Sequence, residues 1–333
     1  MSQSASSVIL IRPTGFGYDP ETAASNEFQQ RVPVDDVRRS AAEEFDALIE
    51  ALRQCGVGFT VLDPIDPKAP NAVFPNNWFS THADGTLVLY PMLTPSRRAE
   101  RDPDLARVLE VEGFAARQTL DFSGWEHHGL ILEGTGSLVL DRLKRRAFAC
   151  LSPRTSERAL EAWCEQLGYT PIGFTATMDG RLNGAPIYHT NVVMSIGAKW
   201  ALVCFDAMPY PAERQEVEEE LAKSGREVIA FDLPQLHRFV GNALELSPMR
   251  LSGAAGHREL RGTKEEAISE STVIFLSETA FHALKPFQRI ALERHAQLIP
   301  VAVPTIEAIG GGSVRCMMAE NFLPQSIGYP TSG

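Results

Sequence analysis

The sequence predicts an α/β fold, a closed propeller built from about five pseudo-equivalent strand–strand–helix–strand (ββαβ) units. Three observations lead there. Short strand-like apolar runs alternate with segments of helical periodicity along nearly the whole chain. The alternation recurs roughly every 55 residues, with one longer interval, a period in the range of repeat architectures. Successive units open at distinctive residues, in turn Asn77, Glu133, His189, Asn242 and Cys316. Repeats of this size stack in a line or close into a ring. Here the first strand and helix of the chain can complete the unit that Cys316 opens. No linker or change of composition divides the sequence, so residues 1–333 read as one domain.

Residues 8–12 read as a short buried strand. The irregular stretch 13–33 is rich in Pro, Gly, Asn and Asp, and a connection that long is typically a lid or binding loop. Val37, Ala41, Phe45, Leu48 and Leu52 recur at helical spacing, and Gly56 stops that helix. A strand over 59–62 ends at the Asp-Pro pairs 63–64 and 66–67. Segment 76–82 runs into a hairpin with Asp84-Gly85 as its turn and 86–91 as the return strand. A helix over 103–111 and a strand over 115–120 complete this unit. The next has a strand pair over 130–140 around Gly134 and Gly136, a strand over 147–151, a helix over 156–167 capped by Ser156, and a strand over 170–176. A hairpin of 189–196 with 200–205 follows, then a helix over 212–224 and a strand over 227–231. Residues 243–246 and 273–276 flank a polar insertion containing Gly253, Gly256 and Gly262. A helix over 278–296, interrupted or restarted at Pro286, precedes the apolar run 298–303 and the glycines Gly310, Gly311 and Gly312.

Composition excludes several classes of function. The chain is 44% apolar and 22% charged, with a formal net charge of -11. Nucleic acid or an anionic membrane would require a basic face, whereas a small substrate in a local pocket requires none. Charged residues break every apolar run short of membrane-spanning length. Residues 1–7 carry no basic segment and no apolar core of a secretory signal. Cys55, Cys150, Cys164, Cys204 and Cys316 are scattered without a CxxC pair, which points to a reduced, cytoplasmic chain lacking a cysteine-built zinc site. His127, His128, His237 and His295 make no compact ligand motif and read as surface or packing residues. The expectation is therefore a small-molecule substrate, no metal and no organic cofactor. No oligomeric state is written in the sequence.

The chemistry centres on the last of the unit markers. Consecutive glycines let the backbone reach φ > 0 and let a ligand approach closely. Cys316 follows that turn, directly after Arg315. A thiol is a strong nucleophile only as thiolate, which cationic neighbours favour. A buried structural cysteine is the alternative, since free Cys is among the most buried residue types. Taken singly, His189 and Glu133 read as surface or satisfied core residues. In a ring, corresponding ends of the units converge on the axis. Cys316, His189 and Glu133 would then meet as nucleophile, acid/base and orienting carboxylate.

At these positions the chain resembles the guanidino-group-modifying superfamily, the penteins: arginine and agmatine deiminases, dimethylarginine hydrolases and glycine amidinotransferases. Phe74-Pro75-Asn76-Asn77 stands where deiminases have Phe-x-Arg-Asp, and Glu133-Gly134-Thr135-Gly136 where they have Glu-Gly-Gly-Asp. His189-Thr190-Asn191 matches His-x-Asp, and Val314-Arg315-Cys316-Met317 matches Pro-Arg-Cys-Met after the glycine turn. The motifs fall in order over essentially the whole chain. The resemblance implies the five-unit ββαβ propeller, with Cys316 as nucleophile, His189 as general acid and base, and Glu133 as their polar partner.

Two departures bear on the substrate. The aspartates that clamp a guanidinium in deiminases are Asn77 and Asn191 here. A neutral amide both donates and accepts, which suits a ureido group such as that of citrulline. A structural turn role for either asparagine is the alternative. The run Asn77-Trp78-Phe79 is also similar to the citrulline-utilisation hydrolase branch. The expected reaction is citrulline to ornithine, carbon dioxide and ammonia through a carbamoyl thioester on Cys316, with Asn77 and Asn191 holding the ureido group. Rival readings are an arginine deiminase or dihydrolase, an amidinotransferase, and a non-catalytic binding protein on the same scaffold. Arg12, Arg181, Arg238 and Arg315 are the candidates for the substrate carboxylate.

Overall fold

The computed structural model describes residues 2–31, 36–249 and 272–326. The polar insertion with Gly253, Gly256 and Gly262 lies outside them. Among the described residues the strands form five three-stranded sheets of one plan. A short first strand pairs antiparallel with a middle strand, which pairs parallel with a third strand reached through a helix. The first sheet holds Phe79–Thr81, Thr86–Leu89 and Gln118–Asp121. The second holds Val139–Asp141, Arg146–Cys150 and Thr170–Phe174. The third holds Met194–Ile196, Trp200–Val203 and Glu227–Ala230. The fourth holds Leu244–Leu246, Val273–Ser277 and Gln297–Val301. The fifth joins the two ends of the chain: Ala319–Glu320 pairs with Ser7–Ile11, which pairs with Gly58–Leu62. The expected completion of the last unit by the first strand and helix is thus what the chain does.

The first strands face one another and close the ring. Thr81 Oγ1 donates to Glu320 O at 2.8 Å and accepts from Phe322 N at 2.8 Å, tying the last unit to the first. Middle strands such as Ser7–Ile11 and Val273–Ser277 are buried along their whole length, as strands covered on both faces must be. The helices close the outer side. Val37–Gln54 buries Ala41, Phe45, Leu48 and Leu52 on one stripe, each large side chain contributing about 1.5–3 kcal/mol. Asp36 caps that helix by accepting from Arg39 N, and Gly56, at φ 67, ends it.

The sequence reading places the unit markers at strand starts, and the structure corrects this. One helical turn precedes each of four first strands: Pro75–Asn77, Gly134–Ser137, Thr190–Val193 and Val314–Met317. A single turn of buried helix and a short strand share the same apolar run, so periodicity cannot separate them. The helix expected over 278–296 divides into Glu278–Ala283 and Pro286–Glu293, the proline starting the second piece. Ser156 occupies the N-cap position of Glu157–Leu167 without making the capping bond.

Candidate active site

The helical turns at the axis bring the expected residues together. Cys316 Sγ accepts from Asn242 Nδ2 at 3.2 Å and from Asn191 Nδ2 at 3.5 Å. Asn242 has only one possible orientation, because the Arg315 backbone N–H donates to its Oδ1 at 3.1 Å and needs an acceptor there. Asn242 marks the start of a unit in sequence, yet only the structure places its amide on the sulfur.

His189 Nε2 lies 2.8 Å from Glu133 Oε2, and both side chains are buried. Glu133 also accepts from Leu93 N at 3.0 Å and faces Arg154 Nη1 at 3.5 Å. Burial pushes the Glu133 carboxyl up, but Arg154, His189 and Arg97 outweigh it and hold the group at about 2. Burial holds His189 down at about 4 despite the attraction of Glu133. Near pH 7 the pair is therefore a carboxylate and a neutral imidazole. The carboxylate only accepts, so the ring proton sits on Nε2 and Nδ1 is left as the basic nitrogen. A Cβ at Gly136 would collide with Asn77 Nδ2 and His189 Nδ1, so glycine at this position lets those two atoms share the space.

Cys316, His189 and Asn77 line one cavity of about 10 Å³, together with Phe74, Asn71, Tyr188 and the three glycines. Its roof is the irregular stretch after Ile11. Asn26 Nδ2 donates to Gly311 O at 3.2 Å and Gln29 Nε2 to Gly310 O at 2.9 Å. Tyr188 OH donates to Gly311 O at 2.5 Å, and Gly311 itself takes φ 64. A cavity this small holds about one water, so any amino-acid ligand enters only when this roof moves. Of the stretch 13–33, read from sequence as a lid or binding loop, residues 13–31 are described, and Thr22, Asn26 and Gln29 line this cavity.

Two expectations about the wall change. Asn191 is absent from it; its amide lies against the sulfur instead, and its buried Oδ1 has no partner among the described residues. None of the four proposed arginines reaches the cavity. Arg12 and Arg181 pair at the surface with Asp63 and Asp179, Arg238 is exposed, and Arg315 is buried but turns its guanidinium to Thr135 and Glu320. The arginines on the wall are Arg97 and Arg154, which nothing local in the sequence distinguishes. Arg154 donates to Thr22 O at 2.8 Å and Ser25 Oγ at 3.0 Å, both in the roof. Among the described residues no group of His, Cys, Asp and Glu could hold a metal ion, and no helix is long and apolar enough to cross a membrane.

Five ββαβ sheets around an axis, with these turns at its mouth, make the pentein fold that the sequence predicts. A family model described as N,N dimethylarginine dimethylhydrolase, eukaryotic, matches residues 12–323, and the chain belongs to that family of hydrolases acting on carbon–nitrogen bonds. Comparison with curated proteins by sequence finds no match. Among solved structures, the N-terminal domain of ArgZ, an arginine dihydrolase from the ornithine–ammonia cycle in cyanobacteria, is similar at a TM-score of 0.68 and 14% identity, over 94% of this chain and 96% of that domain. This chain matches 40% of the full-length ArgZ chain. The dimethylarginine dimethylaminohydrolase (DDAH) of Pseudomonas aeruginosa, solved as a cysteine-to-serine variant complexed with citrulline, is similar at a TM-score of 0.60 and 14% identity, over 96% of this chain and 100% of that one.

Proposed function

We propose that this protein hydrolyses a ureido amino acid, citrulline by preference, to ornithine, carbon dioxide and ammonia. The observation that carries the reading is the cavity wall. It presents amides, hydroxyls, Cys316, His189 and two arginines, and no carboxylate is among the lining residues. Burying a guanidinium beside two arginines without a facing carboxylate is costly. A ureido head is neutral and brings a carbonyl acceptor, while the carboxylate of the same amino acid gives an arginine its partner. Arg154 is the better placed for that, since its roof contacts break when the roof moves.

The thiol proton passes to Nδ1 of His189 as Sγ of Cys316 bonds to the ureido carbon. The bond from that carbon to the side-chain nitrogen breaks, the imidazolium returns its proton to the leaving amine, and ornithine departs. Water then gives a proton to His189 and attacks the carbamoyl thioester, which releases the thiolate. The carbamate falls to carbon dioxide and ammonia. Glu133, behind His189, holds the ring in the reactive tautomer. Asn242 and Asn191 steady the sulfur. No step calls on a metal or an organic cofactor. We read residues 1–333 as one catalytic domain working in the cytoplasm.

The family match favours a second reading, with a free or methylated arginine hydrolysed at its guanidino carbon. Ornithine and citrulline release from purified protein given L-citrulline, L-arginine or a methylated arginine separates the two, because a guanidino carbon that loses only its terminal amine leaves citrulline. Release from citrulline, with arginine inert, is expected; release from arginine with citrulline inert contradicts the proposal.

A further inference from the structure

We propose that Phe239 is a positioning residue for Cys316: its left-handed backbone, held by Phe28 of the roof, delivers the Asn242 amide to the sulfur. This rests on Cys316 as the nucleophile, and it holds for a ureido and a guanidino substrate alike.

Three non-glycine residues among those described have positive φ. Asp36 caps a helix, and Arg145 sits in the turn between Val139–Asp141 and Arg146–Cys150. Phe239, at φ 57, is in neither setting. It follows the short helix Leu233–Leu236 and is 5% exposed. The Cβ of an L-residue is crowded in that conformation, so a large side chain stays there only where its surroundings hold it. The ring of Phe239 meets that of Phe28, with centroids 4.8 Å apart. Phe28 is in turn fixed to the roof. Its N–H donates to Asn26 Oδ1 at 3.0 Å, and Nδ2 of the same Asn26 reaches Gly311 O.

The other end of this turn is Asn242. Phe239 O accepts from Asn242 N at 2.8 Å, so the backbone direction at 239 sets where Asn242 begins. Gly241 lies close against the turn that carries Asn191: a Cβ there would be 2.2 Å from Val192 O. Asn242 is fully buried, and both ends of its amide are engaged. Oδ1 accepts from the Arg315 N–H, and Nδ2 faces Asn191 O at 3.1 Å and Cys316 Sγ at 3.2 Å. Moving residue 239 out of the left-handed region turns the next peptide and carries that amide off the sulfur. Because Phe28 belongs to the roof, the same contact ties the donor on the sulfur to the closed site.

The test compares Phe239→Gly with Phe239→Ala. Both delete the ring, and they differ by one Cβ, which disfavours positive φ in alanine alone. If φ at 239 places Asn242, glycine is the better residue. The kcat of F239G should exceed that of F239A by about 5-fold or more, with KM alike, on whichever of L-citrulline and L-arginine the wild type turns over. In an Asn242→Ala background the difference should vanish. Phe28→Ala should lower kcat in the wild-type background and not in the Asn242→Ala one. F239A at least as active as F239G, or a difference that persists without Asn242, overturns the proposal. Crystal structures read the placement without turnover. Asn242 Nδ2 in hydrogen-bond reach of Sγ in wild type and F239G, and out of reach in F239A, supports it. The contact retained in F239A overturns it, as does Phe239 at negative φ in the wild type, which needs no folded variant. If wild type turns over neither compound, the reading of Cys316 falls, and the structures still decide the geometry.

Discussion

Two histidines, His189 and His82, are buried in this protein, and they differ in what surrounds them. His189 is 2% exposed and His82 is 6% exposed. Burial holds His189 down at about 4 and His82 at about 3. By those measures they are alike. His189, however, pairs with an ionised carboxylate, borders the cavity and shares it with Cys316. His82 meets the hydroxyl of Ser80 at 3.1 Å, which in turn meets Tyr90 OH at 2.8 Å, and Trp163 Nε1 donates to that same Tyr90 oxygen at 3.1 Å. Its hydrogen-bond partner is neutral, while Arg142 and Arg145 add to the effect of burial and Asp84 opposes it. A depressed histidine is thus a mark of burial, and a partner carboxylate with access to a cavity is what makes it a candidate acid/base.

Substitutions should separate the two regions, and the largest effect is expected at the nucleophile. Cys316→Ala should lower the rate of ornithine release by about 10⁴-fold or more, leaving the thermal midpoint close to wild type. His189→Asn should cost about 10²–10⁴-fold in kcat, and Glu133→Gln a comparable factor through loss of the correct tautomer. His82→Gln reverses the pattern. It should leave kcat/KM within about twofold while costing about 1–3 kcal/mol of stability, measured by urea unfolding. If that variant loses activity as His189→Asn does, the distinction drawn here is wrong. Asn242→Ala removes a donor from Sγ, and a loss of about 10²-fold in kcat is expected.

The smallest effect is one of pH. His82 has its folded-state value below the unfolded one, so the unfolded chain binds its proton first as the solution is acidified. Its stabilising share is full above about 6.5 and is lost as pH falls, at up to about 1.4 kcal/mol per pH unit. The difference in unfolding free energy between wild type and His82→Gln should therefore shrink between pH 7 and 5. Glu100, held up at about 7 by burial, works in the opposite direction, and it cancels in the difference because both proteins contain it.

Much of the architecture was legible because each unit repeats the same alternation of apolar strand and amphipathic helix. Leu48 and Leu52 announce their helix by spacing, and Asp84-Gly85 announces its hairpin. The turns that carry the candidate residues were not legible, because one turn of buried helix has no period of its own. Cys316, His189 and Glu133 could be named from their motifs and from the convergence of a ring. Arg97 and Arg154 could not, since their partners lie on segments remote in sequence: Phe74 and Asn77 for one, Thr22, Ser25 and Glu133 for the other. Asn191 was read as a wall residue from its motif. Its placement against the sulfur depends on how the turn Thr190–Val193 is rotated, which sequence does not specify.

The central claim is that Cys316 attacks a ureido carbon. The most direct test is rapid acid quenching of the protein with L-citrulline, followed by intact mass spectrometry and peptide mapping. A carbamoyl adduct on the Cys316 peptide, formed and lost on the timescale of ornithine release, is the predicted result. Ornithine release with Cys316 unmodified throughout, or an amidino adduct formed from arginine while citrulline leaves the thiol untouched, would contradict the account.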